Sequence, residues 1–173
     1  VIDVITAGVN SVASYENIGV IATPATIRSN AYQSKINNIN YHSKVYSKSC
    51  GLFVSMIEEG FINGEIVDII SEEYLQFFLD KSLDAMVLGC THYPIIKDSI
   101  AHILGDIILI DPSLEATLML KTLLEQKSIL NETDVIPEHR YYVTDIPINF
   151  KLIGEIFLQT SMNNIEVVDI DIY

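Results

Sequence analysis

Cys90 and His92 stand two residues apart in the segment Gly89-Cys90-Thr91-His92-Tyr93-Pro94. A thiol beside an imidazole can give the ring its proton and become a thiolate, the form of cysteine that does chemistry. The segment follows the apolar run Ala85-Met86-Val87-Leu88 and leads into a helix whose first turn suits Pro94. A positive helix end beside Cys90 is expected to lower its pKa below the free value of ~8.5. His92 can instead ligate a substrate, Thr91 adds a hydroxyl, and Gly89 lets the backbone come close. The plain alternative is a buried inert thiol with a satisfied loop histidine. The strand-loop-helix setting keeps both readings open.

A second loop, Ala22-Thr23-Pro24-Ala25-Thr26, sets two hydroxyls beside free backbone N–H groups. Such a loop can hold a carboxylate or a phosphate, although spacing alone favours simple helix capping by threonine. Other residues say less. Cys50 sits between Ser49 and Gly51 with no base nearby and reads as structural. Cys90 and His92 are too close for a four-ligand zinc site, and no second Cys/His pair has the needed spacing. No glycine-rich phosphate loop occurs. Glu58 and Glu59 read in isolation as surface charge, and Glu166, Asp169 and Asp171 as a solvated edge.

These loops need elements to hold them. Apolar runs of strand length alternate with amphipathic stretches of helix length. Strands are expected at Ile18–Ala22, at Val45-Tyr46 ending near Cys50, at Ala85–Gly89, at Ile107–Ile110, at Arg140–Val143 and at Ile165–Ile170. The run at Ala85–Gly89 is apolar on both faces, as a central parallel strand must be. Helices are expected over Ala25–Asn38, through Phe53 and Ile57 to a stop at Gly60, over Glu65–Leu79, and from Pro94 to Gly105. Ala116, Leu120, Leu123 and Leu124 share one helical face; Ile146, Phe150, Ile153 and Phe157 form a second stripe. The polar stretch Gln126–Pro137 is the linker candidate. Strand alternating with helix means an α/β fold with a largely parallel sheet. In such sheets ligands gather outside the carboxyl ends of the strands, where both loops lie.

Composition sets the outer bounds. The chain has 173 residues, 49% hydrophobic and 19% charged, enough for a buried core and too apolar for disorder. Ten Lys plus Arg against 23 Asp plus Glu give a net charge of −13, which argues against nucleic acid and anionic membrane as partners. No apolar run reaches the ~20 residues of a membrane-spanning helix, and no signal segment opens the chain. Two Cys without a secretion signal point to free thiols in the cytoplasm. Trp is absent, which weakens any case for stacking on sugars or bases. The chain opens on Val1 in the apolar run Val1-Ile2-Asp3-Val4-Ile5, so it is expected to be either trimmed or the later part of a longer protein.

Taken together, the two loops resemble those of glutamate racemases, in the aspartate/glutamate racemase superfamily. Gly89-Cys90-Thr91-His92-Tyr93-Pro94 is similar to that family's second catalytic motif, and Gly19 to Ser29 resembles the loop after the start of its second domain. Val1–Ile5, Cys50–Gly60, Ile110-Asp111-Pro112 and His139–Thr144 fall in the family's order, so the resemblance covers essentially the whole chain. It implies the family's α/β parallel-sheet sandwich, with residues 1–111 as its second domain and 112–173 as a closing segment that returns to the first domain. It also implies cofactor-free interconversion of L- and D-glutamate for peptidoglycan, by two cysteines on opposite faces of the substrate α-carbon. Cys90 matches the second of these cysteines. Thr91 and His92 match substrate-contacting positions, Thr23 and Thr26 the loop near the substrate carboxylate, and Glu58 an acidic position supporting the histidine. Ala22 stands where the family commonly has Gly.

The first domain's Asp-Ser near its start, its Tyr-Gly loop and its Cys-Asn-Thr loop are not in these residues, and Cys50 does not replace the missing thiol. The chain is therefore expected to be a truncated form, inactive alone. Aspartate racemase, another racemase of the superfamily and a non-catalytic remnant or binding module are the alternatives. Glutamate is the expected partner, and homo-oligomer formation is left open.

Overall fold

Four aliphatic runs pair into one parallel sheet: β1 (Asn17–Ala22), β2 (Lys44–Ser49), β3 (Ala85–Gly89) and β4 (Ile108–Ile110), in the order β2-β1-β3-β4. The structure is a computed structural model that describes residues 1–133, 135, 137–145 and 150–170. Ile146 and Asp171, named above, lie outside these residues. β1 and β3 are central, and all but one residue of each is buried. Alternation along the strands divides the core in two. Ile18, Val20, Ala85 and Val87 face one side, under Val9 and Val12 at the end of α1 (Val4–Ser11) and Tyr32 and Ile36 of α3 (Ala31–Ile39). Ile21, Met86 and Leu88 face the other, under α4 (Leu52–Glu58), α5 (Glu65–Leu75) and α6 (Lys97–Leu104). Each fully buried aliphatic or aromatic side chain there is worth ~1.5–3 kcal/mol.

The chain leaves β1 for β2 on one side and then crosses to β3 on the other. This reversal opens a crevice at the carboxyl ends of β1 and β3, the usual ligand position in such sheets. Ala22 pairs with Gly89, so the two strands end level with each other. Thr23 and Cys90 are the next residues.

Four differences from the sequence reading exceed a one-residue shift of an element's end. The helix expected over Ala25–Asn38 is two: α2 (Pro24–Arg28) and α3. Asn30 between them is left-handed at φ 55°, and the Ser29 hydroxyl bonds the Thr26 carbonyl at 2.7 Å, closing α2. The helix expected to reach Leu79 leaves α geometry at Leu75 and continues as a 3₁₀ turn over Gln76–Phe78. Pro94 begins a 3₁₀ turn (Tyr93–Ile96) rather than an α-helix. The last strand stops at Val167 instead of Ile170.

Beyond the sheet, α7 (Pro112–Gln126) lies against α1, tied by the Ser11 hydroxyl donating to Glu115 at 2.8 Å. Its outer face leaves Leu114, Leu118 and Leu120 exposed. β5 (Tyr141–Val143), α8 (Phe150–Leu158) and β6 (Ile165–Val167) form a small parallel β-α-β unit. Ile153 and Met162 are buried in it, whereas Leu152 and Leu158 are exposed. Among the described residues no helix is long and apolar enough to cross a membrane.

Candidate active site

Thr23 ends β1 as the N-cap of α2. Its Oγ1 accepts from the Thr26 N–H at 3.3 Å and lies 3.0 Å from the Thr26 hydroxyl. Capping, the plain reading of this loop, is therefore present. It also fixes two hydroxyls side by side at the mouth of the crevice.

Across the crevice, Gly89 permits the close approach of β1. A methyl group there would meet the Ile21 carbonyl oxygen at 2.9 Å and the Ala22 Cβ at 3.0 Å. Cys90 follows, half-buried. Backbone N–H groups of His92 and Thr91 and the Thr91 hydroxyl lie close enough to its sulfur to favour the thiolate. Burial outweighs them, with Glu58 adding to the rise, and holds the Cys90 thiol above its ordinary value. The expected lowering is thus overturned. Its physical basis was an α-helical N-terminus at the sulfur, but only a short 3₁₀ turn follows Cys90 and α6 begins at Lys97. The thiol is the resting form, with donors already placed for the thiolate.

Behind Cys90 stands a relay of side chains. His92 Nδ1 is 3.7 Å from the sulfur, and His92 Nε2 is 3.2 Å from Glu58 Oε1. A carboxylate at Nε2 favours the proton there, leaving Nδ1 to accept from the thiol. Glu58 is the last residue of α4, and Gly60, at φ +88°, turns the chain away directly after it. Phe157, from α8, meets the His92 ring edge to face, with centroids 5.6 Å apart and planes at 84°.

A cavity of about 220 Å³ fills the crevice, lined by Thr23, Thr26, Tyr32, Gly89, Cys90, Thr91, Asp111 and Ser113 among others. Four of the six residues proposed from sequence therefore share one cavity. His92 and Glu58 are not in its lining and act on it through Cys90. Tyr32, Asp111 and Ser113 were missed. Asp111 enters the sequence reading only within Ile110-Asp111-Pro112, without a role, and it caps α7 by accepting from the Ser113 N–H at 2.9 Å and hydroxyl at 2.6 Å. Tyr32 carried no local signal at all. Cys50 is wholly buried and its thiol is pushed up to about 12 by that burial.

A crystal structure of glutamate racemase from Francisella tularensis subsp. tularensis SCHU S4, in complex with D-glutamate, has this fold with a TM-score of 0.92. It is 58% identical, and the match covers 99% of this chain and 65% of that one. The glutamate racemases of Syntrophus aciditrophicus and Neisseria meningitidis serogroup A are 37% and 38% identical over 98% of this chain and 64% of their own length. Over nearly its whole length the chain is similar to glutamate racemases. No protein-family model matches the sequence. The α/β parallel-sheet architecture expected from the motifs is the architecture of this racemase family, and the chain spans just under two thirds of the length of these racemases.

Proposed function

We propose that this chain supplies one face of a cofactor-independent glutamate racemase site, acting in the cytoplasm to provide D-glutamate for peptidoglycan. The observation that carries the reading is the Cys90–His92–Glu58 relay opening beside the Thr23 and Thr26 hydroxyls at the sheet's switch point. Glutamate is the substrate the reading assigns, in keeping with the D-glutamate bound by the Francisella relative. Nucleic acid and membrane have no part in it, and homo-oligomer formation is compatible with it.

In this mechanism the Cys90 thiol passes its proton to His92 Nδ1, and Glu58 steadies the imidazolium through Nε2. The thiolate, held by the N–H groups of Thr91 and His92, takes the substrate α-proton from one face. Donors at the substrate carboxylate, Thr23 and Thr26 among them, stabilise the charge that develops. A second thiol on the opposite face returns a proton and inverts the centre. Cys50 cannot be that thiol, being buried, so the second sulfur comes from outside these 173 residues. Within the reading, residues 1–111 form the family's second domain and 112–173 its closing segment.

The test is exchange and inversion measured together. In D₂O the full-length protein should replace the glutamate α-proton and convert L- to D-glutamate, followed by NMR and circular dichroism. Cys90→Ala should lose conversion altogether. The 173-residue chain alone should not approach the full protein's rate. Undiminished racemisation by Cys90→Ala would refute the assignment.

A further inference from the structure

Tyr32 is only 5% exposed, yet its phenol makes no hydrogen bond to any group among the described residues. The hydroxyl is not sealed in: the one fully enclosed side-chain oxygen without a partner among the described residues is Ser71 Oγ, so Tyr32 Oη keeps access to space a ligand can enter. Tyr32 lines two cavities, one of which it shares with Cys90, Thr23 and Thr26. The ring is also held firmly. A methyl group on Gly89 would stand 3.1 Å from Cε2, and one on Gly8, in α1, 3.5 Å from Cε1. Those carbons flank the hydroxyl, so two glycines from different elements leave room for that end of the ring and fix where it points.

Burial, with Asp3, Cys90 and Asp111 nearby, pushes the phenol up to about 12. At neutral pH it is therefore a donor, and a donor in a cavity beside two threonine hydroxyls suits an anionic oxygen. We propose that the Tyr32 hydroxyl donates a hydrogen bond to a carboxylate oxygen of the amino acid bound beside Cys90, which makes Tyr32 a substrate-binding residue. The proposal rests on the racemase reading given above.

Tyr32→Phe removes the hydroxyl and keeps the ring between Gly8 and Gly89. In the full-length protein, D-glutamate is titrated against iodoacetamide alkylation of Cys90. The half-protecting concentration should rise about tenfold or more in Tyr32→Phe, the loss expected for a hydrogen bond to a charged group. The alkylation rate without glutamate and the melting temperature should not change. Independently of any variant's folding, the ¹³Cζ resonance of Tyr32 in the wild-type protein should shift when D-glutamate is added. Equal half-protection in both proteins, or an unmoved resonance while Cys90 is protected, overturns the Tyr32 assignment and leaves the racemase reading standing. Failure of D-glutamate to protect wild-type Cys90 overturns the racemase reading, and Tyr32 falls with it.

Discussion

Cys50 and Cys90 carry the same thiol in different surroundings. Cys50 is closed in by Phe53 and Tyr93 and lies over the sheet, and its carbonyl accepts the Tyr93 hydroxyl at 2.8 Å. Cys90 is half-exposed with thiolate donors around its sulfur. Under native conditions iodoacetamide should modify Cys90 first and leave Cys50 untouched until the protein unfolds. Because the Cys90 thiol sits above its ordinary value, its alkylation rate should still be climbing above pH ~8.5, where a free thiol is half ionised. Mass-resolved labelling against pH gives both results; labelling of Cys50 at a matching rate would contradict the burial. Glu58 acts one step further back. Glu58→Ala should lower kcat roughly tenfold through the lost hold on His92, and Glu58→Gln, which keeps an acceptor, by less. Equal kcat in all three proteins would remove Glu58 from the relay.

Among the elements, the break between α2 and α3 matters most to the site, since it frees α2 to present Thr23 and Thr26. The break depends on Asn30 in the left-handed region, where asparagine is tolerated and other side chains are strained. Asn30→Ala should therefore destabilise the fold by ~1 kcal/mol, and Asn30→Gly by less than half of that. Urea midpoints of the two variants test the order; equal losses would mean that the Asn30 amide bond to Ser34, at 3.1 Å, which both variants lack, dominates over the backbone strain. From the sequence, Ala25–Asn38 reads as one helix because no Gly or Pro interrupts it. Asparagine in a left-handed turn leaves no mark on hydrophobic periodicity. The 3₁₀ turn at Tyr93–Ile96 is hidden for the same reason: Pro94 suits the first turn of either helix type.

For the whole molecule, stability is concentrated in the four-stranded sheet. β3 is flanked by β1 and β4 and covered on both faces, whereas α8 buries Ile153 but leaves Leu152 and Leu158 in water. Amide exchange should accordingly be slowest at Val87 and Leu88 and faster by orders of magnitude across Ile153–Phe157. Equal protection would mean that the two regions open as one unit. Alkaline pH tests the core in another way. Burial raises Cys50 from an ordinary 9.0 to about 12, Tyr32 from 10.0 to about 12, and Tyr93 further still. Between about pH 9 and 12 the unfolded chain has lost protons that the native state retains, so stability falls as pH rises. Each group contributes at most ~1.4 kcal/mol per pH unit, and none contributes below its unfolded value. Urea midpoints should drop steadily above pH 9; a flat profile to pH 11 would mean that these groups are not buried in solution.

The sequence by itself determined the strands, the class of fold and the two loops that carry chemistry. Ile18–Ala22 and Ala85–Gly89 are apolar on both faces, and only a central parallel strand requires that. The Thr23 and Cys90 loops follow directly from where those strands end. Tertiary structure alone decided the rest. It set the strand order that brings Thr23 level with Cys90, placed Glu58 3.2 Å from His92 across a 34-residue separation, and brought Phe157 against that ring. It also decided the sign of the Cys90 shift. Local sequence shows which donors can reach a sulfur, but the desolvation opposing them comes from packed neighbours distant along the chain. Tyr32 belongs here too, since nothing near it in sequence indicates that it lines the cavity beside Cys90.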